Sequence, residues 1–184
     1  KIMAFVSVKE FDDRHYVAMV TQKGVAKKTK LSAFGNPRKD GILAMKIDEK
    51  KDHLVVARLT DGTEFIIIGT KEGMAICFPE KELRDMGRVA SGVRGIKLGK
   101  NDEVVGMVNA KKNATLLVVS ENGYGKRSKL SDYRITRRGG KGVRTFKIST
   151  KTGKLVSIRD VIDEDDMMIT TENGVIIRLH VKDL

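Results

Sequence analysis

A Thr/Ser-x-x-Gly element occurs four times at nearly constant spacing, and this periodicity constrains the fold more than any other feature of the chain. It reads Thr21-Gln22-Lys23-Gly24, Thr70-Lys71-Glu72-Gly73, Ser120-Glu121-Asn122-Gly123 and Thr171-Glu172-Asn173-Gly174, so the glycines step by 49, 50 and 51 residues. An apolar run precedes each copy: Val17–Val20, Phe65–Ile68, Leu116–Val119 and Met167–Ile169. The runs are short, partly β-branched and closed by glycine, which suits buried strands rather than helices. The Asn-Gly pairs at 122–123 and 173–174 tolerate positive φ and close hairpins cheaply.

Other segments keep the same step. Gly41–Ile47, Gly92–Leu98 and Gly142–Ile148 are one glycine-led strand used three times. Leu54–Ala57, Val104–Met107 and Leu155–Ile158 form a further set, with Phe5–Val8 as its first member. Four strands per unit of about fifty residues predicts an all-β, propeller-like array of about four four-stranded blades. The repeats fall near residues 1–50, 51–100, 101–151 and 152–184 of a single domain. Both prolines, Pro37 and Pro79, lie in connections, where Lys30–Phe34, Pro79–Arg84 and Lys129–Tyr133 suggest single helical turns. The chain opens at the second strand type and ends before the next glycine-led strand, so blades share strands with neighbours or the array continues, and open edges are expected at both ends.

Thirty-six Lys and Arg against 24 Asp and Glu give a net charge of +12. Such an excess favours a polyanionic partner, nucleic acid or an acidic membrane surface, and no apolar run approaches the length of a membrane-spanning helix. The excess is local. Residues 22–41 hold Lys23, Lys27, Lys28, Lys30, Arg38 and Lys39 against Asp40 alone. Residues 121–144 hold Lys126, Arg127, Lys129, Arg134, Arg137, Arg138, Lys141 and Arg144 against Glu121 and Asp132. The matching stretch of the second repeat, 70–92, is neutral. Equivalent segments on one edge of each blade would place these cations on a common rim; scattered solvated faces are the alternative.

Within the third repeat, Arg137-Arg138-Gly139-Gly140-Lys141-Gly142 combines cations with glycines that let a backbone approach a phosphate. A tight basic turn without a ligand is the alternative. The spacing of a nucleotide-binding P-loop is absent. Aromatic residues make up 5% of the chain and tryptophan is missing, which disfavours single-strand binding by base stacking, with Tyr124 and Tyr133 a thin platform. His15, His53 and His180 lack metal-ligand spacing, Asp163–Asp166 lacks the pattern of a calcium loop, and the lone Cys77 sits in a strand run. No catalytic or metal site is expected.

Several stretches resemble the C-terminal domain of DNA gyrase A: Thr21–Thr29, Asn36–Ile42, Met86–Ile96 and Glu121–Arg127. The resemblance runs through essentially the whole chain in order and at the blade period. It implies a β-pinwheel with strands exchanged between blades. It also implies a non-catalytic module that wraps duplex DNA around a basic outer edge and biases strand passage by a type II topoisomerase toward negative supercoiling. ATP and Mg would be used elsewhere in the parent enzyme, a heterotetramer whose remaining parts are the rest of gyrase A and gyrase B, in a bacterial cytoplasm. The candidate DNA-contacting residues are Lys27, Lys28, Lys30, Arg38, Lys39, Lys126, Arg127, Lys129, Arg134, Arg137, Arg138, Gly139, Gly140, Lys141 and Arg144. The family's Gln-Arg-Arg-Gly-Gly-Lys-Gly box sits on its first blade; here Thr136 stands in place of the glutamine and the segment falls in the third repeat, so the chain corresponds to interior blades. The related C-terminal domain of topoisomerase IV and a propeller-like protein-interaction scaffold are the alternatives.

Overall fold

A computed structural model describes residues 2–110 and 114–184. It contains thirteen strands and four short 3-10 turns, with no α-helix among the described residues. The strands are β1 (Tyr16–Thr21), β2 (Val25–Lys30), β3 (Leu54–Thr60), β4 (Phe65–Thr70), β5 (Met74–Pro79), β6 (Val93–Arg94), β7 (Val104–Ala110), β8 (Thr115–Ser120), β9 (Gly125–Lys129), β10 (Val143–Arg144), β11 (Leu155–Val161), β12 (Asp166–Thr170) and β13 (Ile176–His180). They form four antiparallel sheets in the orders β3-β1-β2-β6, β10-β5-β4-β7, β11-β8-β9 and β12-β13.

Each repeated Thr/Ser-x-x-Gly element is the loop of a hairpin. Gly24, Gly73, Gly123 and Gly174 all hold φ near +80°, in the left-handed region that costs glycine little. Their N–H groups donate to the carbonyls of Thr21, Thr70, Ser120 and Thr171. The threonine hydroxyl accepts the N–H of the residue after the glycine in three copies, Val25, Met74 and Val175. Ser120 lacks that bond, and its Oγ is buried with no hydrogen-bond partner. Asn122 and Asn173 do not adopt positive φ. The loop is therefore a turn followed by one left-handed glycine, and glycine alone supplies the special conformation.

Strand exchange defines the architecture. The chain leaves β5, makes the turn Glu80–Glu82, and crosses back to the first sheet, where Val93 and Arg94 pair with Ala26 and Val25 of β2. The same path leads from β9 through Leu130–Asp132 to Val143 and Arg144, which pair with Ala75 and Met74 of β5. The first two sheets each take a strand from the following repeat, whereas β8, β9 and β11, and the hairpin β12–β13, form sheets without one. The expected glycine-led strand over Gly41–Ile47 is not formed, nor is a strand over Phe5–Val8. Their counterparts pair with a hairpin one repeat earlier in the chain, and among the described residues no such hairpin lies beside these two segments.

Successive third strands pack on one another, β3 on β7 and β7 on β11. That edge of the first three sheets therefore converges, and the exchanged strand of the first two lies on the opposite edge. Ala18, Val20, Ile66, Ile68, Ile76, Phe78, Ile96 and Met107 fill the space between the first and second sheets. Ile67, Val108, Leu116, Val118, Leu155 and Ile158 do so between the second and third. Cys77 is buried here, and burial pushes its thiol up to about 11.

The crossing segments press against the strands they join. At Gly142, φ is +74° and a Cβ would fall well inside contact distance of the Ala75 carbonyl. At Gly174, φ is +80° with open space around it. Gly174→Ala is expected to cost about 1–2 kcal/mol from the backbone alone, and Gly142→Ala clearly more because β10 must also move off β5. Urea unfolding of the two variants checks the ranking; equal losses would contradict the exchanged pairing.

Candidate nucleic-acid interface

The thirteen candidate cations divide into two groups. Lys30, Arg38, Lys39, Lys126, Lys129, Arg134, Arg137, Lys141 and Arg144 are exposed. Lys27, Lys28, Arg127 and Arg138 are held by the protein itself, which corrects their assignment as phosphate contacts.

Lys27 is fully buried on β2. Its Nζ donates to the carbonyls of Ala44, at 2.7 Å, and Arg88. Lys28 is also buried, with Nζ 3.5 Å from Glu80, 3.6 Å from Asp85 and 4.5 Å from the Tyr16 ring centroid. The strand alternation of β2 should turn one of two adjacent lysines outward. Both are covered because the exchanged segment 85–94 lies against this strand. Arg127, at the register position of Lys28 in the third sheet, donates to Thr115 Oγ1, the Val181 carbonyl at 3.1 Å and Asp163.

The glycine-rich segment 137–142 is a joint between blades. Arg138 donates from Nε to the Glu82 carbonyl at 3.1 Å and from Nη1 to the Arg94 carbonyl at 3.2 Å, while its N–H donates to Glu82 Oε2 at 2.8 Å. The N–H of Gly139 donates to the Gly95 carbonyl at 2.6 Å, and the Gly140 carbonyl accepts from Lys97 N–H at 2.8 Å. The Gly139 N–H is thus taken up by protein, and its φ of +78° is the left-handed conformation that favours glycine. The second repeat repeats the joint: Arg88 reaches the Leu43 carbonyl, and the Ala90 carbonyl accepts from Lys46 N–H. What the joint leaves outward in the third repeat is Arg137 and Lys141, on either side of the docked residues.

Two sets of exposed cations lie outside the candidates drawn from sequence. Lys46, Lys97 and Lys147 each stand five residues after the leading glycine of an exchanged segment, and all three are exposed. Arg94 occupies the position of Arg144 and is likewise exposed. Aligning the repeats brings these residues into register, whereas sorting charge by contiguous stretch cuts through them. Of Tyr124 and Tyr133, the latter is buried with its hydroxyl bonded to Thr145, and the exposed former has the Lys151 Nζ 5.4 Å from its ring centroid. Asp61, Glu64 and Glu80 bring carboxylate oxygens together beside Lys28, whose ammonium already supplies positive charge there.

Burial, with Arg88 nearby, lowers the Lys27 ammonium to about 8. The folded protein therefore releases this proton before the unfolded chain does. The penalty of burying the charge is fully present below pH 8 and is relieved as pH rises from 8 to about 10.5. Lys27→Met is expected to remove that contribution. The stability difference between wild type and variant, measured by urea unfolding at pH 7.5 and pH 10, should move in favour of wild type at the higher pH by about 2–3 kcal/mol. A difference independent of pH would show that Lys27 is not desolvated.

Residues 15–61, 64–111, 114–161 and 165–184 match the family described as DNA gyrase C-terminal domain, beta-propeller. The DNA gyrase A proteins of Staphylococcus aureus strains MRSA252 and NCTC 8325 are 44% identical over 186 residues, covering 100% of this chain and 21% of the relative. The chain thus spans about a fifth of the length of these relatives. Among solved structures, the C-terminal domain of DNA topoisomerase IV superposes with a TM-score of 0.88 at 26% identity, over 96% of this chain and 55% of that one. The DNA gyrase A C-terminal domain gives 0.86 at 29%, over 97% and 59%. With four matched repeats, strands exchanged between them and these neighbours, the chain is a β-pinwheel and belongs to the DNA gyrase C-terminal domain family.

Proposed function

We propose that this chain is a non-catalytic module that binds and wraps duplex DNA for a gyrase-type topoisomerase, with the duplex following the outer edge of the blades. Family membership supports the class of function. The observation that carries the site is the recurrence of exposed cations at one register, Lys46, Lys97 and Lys147, with Lys97 beside the junction that presents Arg137 and Lys141, and with Arg38 and Lys39 exposed in the first repeat. Arg94 and Arg144 extend the set along the exchanged strands, and Lys30, Lys126, Lys129 and Arg134 flank it. Lys27, Lys28, Arg127 and Arg138 support the edge from within. No nucleotide or metal is required for this role. Bias toward negative supercoiling, and assembly with the rest of gyrase A and with gyrase B, belong to the same proposal. Among the described residues, no helix is long and apolar enough to cross a membrane.

Phosphate contacts carry little base information, so binding is expected to tolerate sequence and respond to bendability. With six to ten phosphates engaged, affinity for duplex should fall about 10³–10⁵-fold between 50 and 200 mM salt. A nearly salt-independent affinity would favour a protein-interaction scaffold. Combined Arg137→Ala, Lys141→Ala and Lys147→Ala should lower the slope of log affinity against log salt by about 2–3. Lys50→Ala with Lys51→Ala, on a connecting loop, should leave it unchanged. Fluorescence anisotropy with one duplex across a salt series checks both, and equal effects of the two sets would refute the edge assignment.

A further inference from the structure

One place in the fold occurs at two junctions between repeats and is built there with opposite chemistry. Lys28 on β2 and Cys77 on β5 make corresponding parallel bridges with the crossing segment, to Asp85 and to Ile135. Each also accepts, at its carbonyl, the N–H of the next crossing residue, Met86 or Thr136, at 2.9 Å. Tyr16 and Phe65 correspond in the same way, opposite Thr60 and Ala110. Glu80 and Leu130 each open the 3-10 turn that follows the strand. At the first junction these positions are polar and satisfy one another. The Lys28 side chain occupies the space, its Nζ between Glu80 and Asp85 and over the Tyr16 ring, and the Thr60 hydroxyl donates to Glu80.

At the second junction, in the interior of the array, the same five positions are apolar, and they line a pocket of about 400 Å³. That volume lies within the roughly 300–1,000 Å³ of small-molecule sites. Cys77 is too short to fill the space that Lys28 fills in the first junction, and burial keeps its thiol neutral. Tyr133 borders the pocket, but its hydroxyl is bonded to Thr145. Ser131 and Arg134 stand exposed at its rim. Among the described residues no Asp or Glu lines it, and no acceptor holds the Arg134 guanidinium. We infer that this pocket binds a small carboxylate with an apolar body, of the medium-chain fatty acid or arylalkanoate class. The body packs on Phe65, Leu130 and Ile135 above Cys77, and the carboxylate meets Arg134. The first junction supplies the pattern: an aliphatic stem ending in a charge, held by groups of the opposite sign. At the second junction the chain offers no stem of its own, and the charged group is a guanidinium, which pairs with carboxylates. Burying an apolar body there removes the exposed walls from water. This inference does not rest on the DNA-binding reading.

Sodium octanoate is the probe, and the methyl resonances of Ala110, Leu130 and Ile135 in heteronuclear NMR spectra of the 184-residue chain are the readout. They should shift saturably, with a Kd below about 5 mM. Octylammonium, with the same stem and the opposite charge, should bind at least about tenfold more weakly. Arg134→Ala changes only an exposed side chain and should weaken octanoate about tenfold without weakening octylammonium. Cys77→Met gives the second junction a side chain as long as that of Lys28 and should abolish the shifts. Ser131→Trp, at an exposed position, should abolish them by covering the mouth, and it carries the same test should Cys77→Met fail to fold. Circular dichroism identifies the variants that keep the wild-type β signal. Absence of saturable shifts up to about 20 mM octanoate would overturn the inference. So would equal affinity for octylammonium, undiminished binding in Arg134→Ala, or wild-type binding in a folded Cys77→Met or Ser131→Trp protein.

Discussion

Everything in this fold depends on the borrowed strand. A hairpin such as β1–β2 presents an unpaired edge on β2, and a row of free N–H and C=O groups is costly to cover and hazardous to leave open. The chain closes that edge with Val93 and Arg94 of the following repeat, and closes β5 with Val143 and Arg144 in the same way. Each of these two sheets is therefore complete only when the next repeat has folded beside it. The apolar layers between sheets, built around Ile68, Phe78 and Ile96 and around Val108, Leu116 and Ile158, are consequences of that closure as much as causes of it.

The crossing segment brings charge with it, and the structure uses the charge in two ways. Where the exchanged chain lies over β2, Lys27 and Lys28 become internal. Lys27 satisfies carbonyls of two different repeats, and Lys28 sits between Glu80 and Asp85. A buried ammonium with carbonyl partners is expensive relative to an apolar side chain, and the second junction places Ile76 at the register position of Lys27. The two junctions thus solve one packing problem with opposite chemistry. The cations that remain outside, Lys46, Lys97 and Lys147 among them, carry no such duty and are free for an anionic partner.

Much of the architecture was legible in the amino-acid order. Thr21, Thr70 and Thr171 announced hairpins because their hydroxyls bond the residue after a left-handed glycine, and that chemistry needs only five consecutive residues. The exchanged strands were legible as sequence at Gly92 and Gly142, while Gly41–Ile47 has the same pattern and forms no strand. Whether such a segment pairs depends on a hairpin elsewhere in the chain, which local sequence does not encode. The candidate interface was half legible. Composition located the basic segments, but it could not separate Lys27 from Lys30, because the exchanged chain that buries the first comes from a repeat away.

In the glycine-rich segment of the third repeat the proposed binding edge coincides with a folding joint. The Gly139 N–H and the Gly140 carbonyl bond to the backbones of Gly95 and Lys97, and Arg138 anchors the same turn on Glu82 and Arg94. A loop docked at so many points has little freedom, so the flanking Arg137 and Lys141 project from a fixed backbone. Presenting cations on a rigid turn lowers the ordering cost of meeting a phosphate. It also ties their spacing to the spacing of the blades. A flexible basic tail could carry the same net charge, but it could not hold those charges at the period that strand exchange imposes.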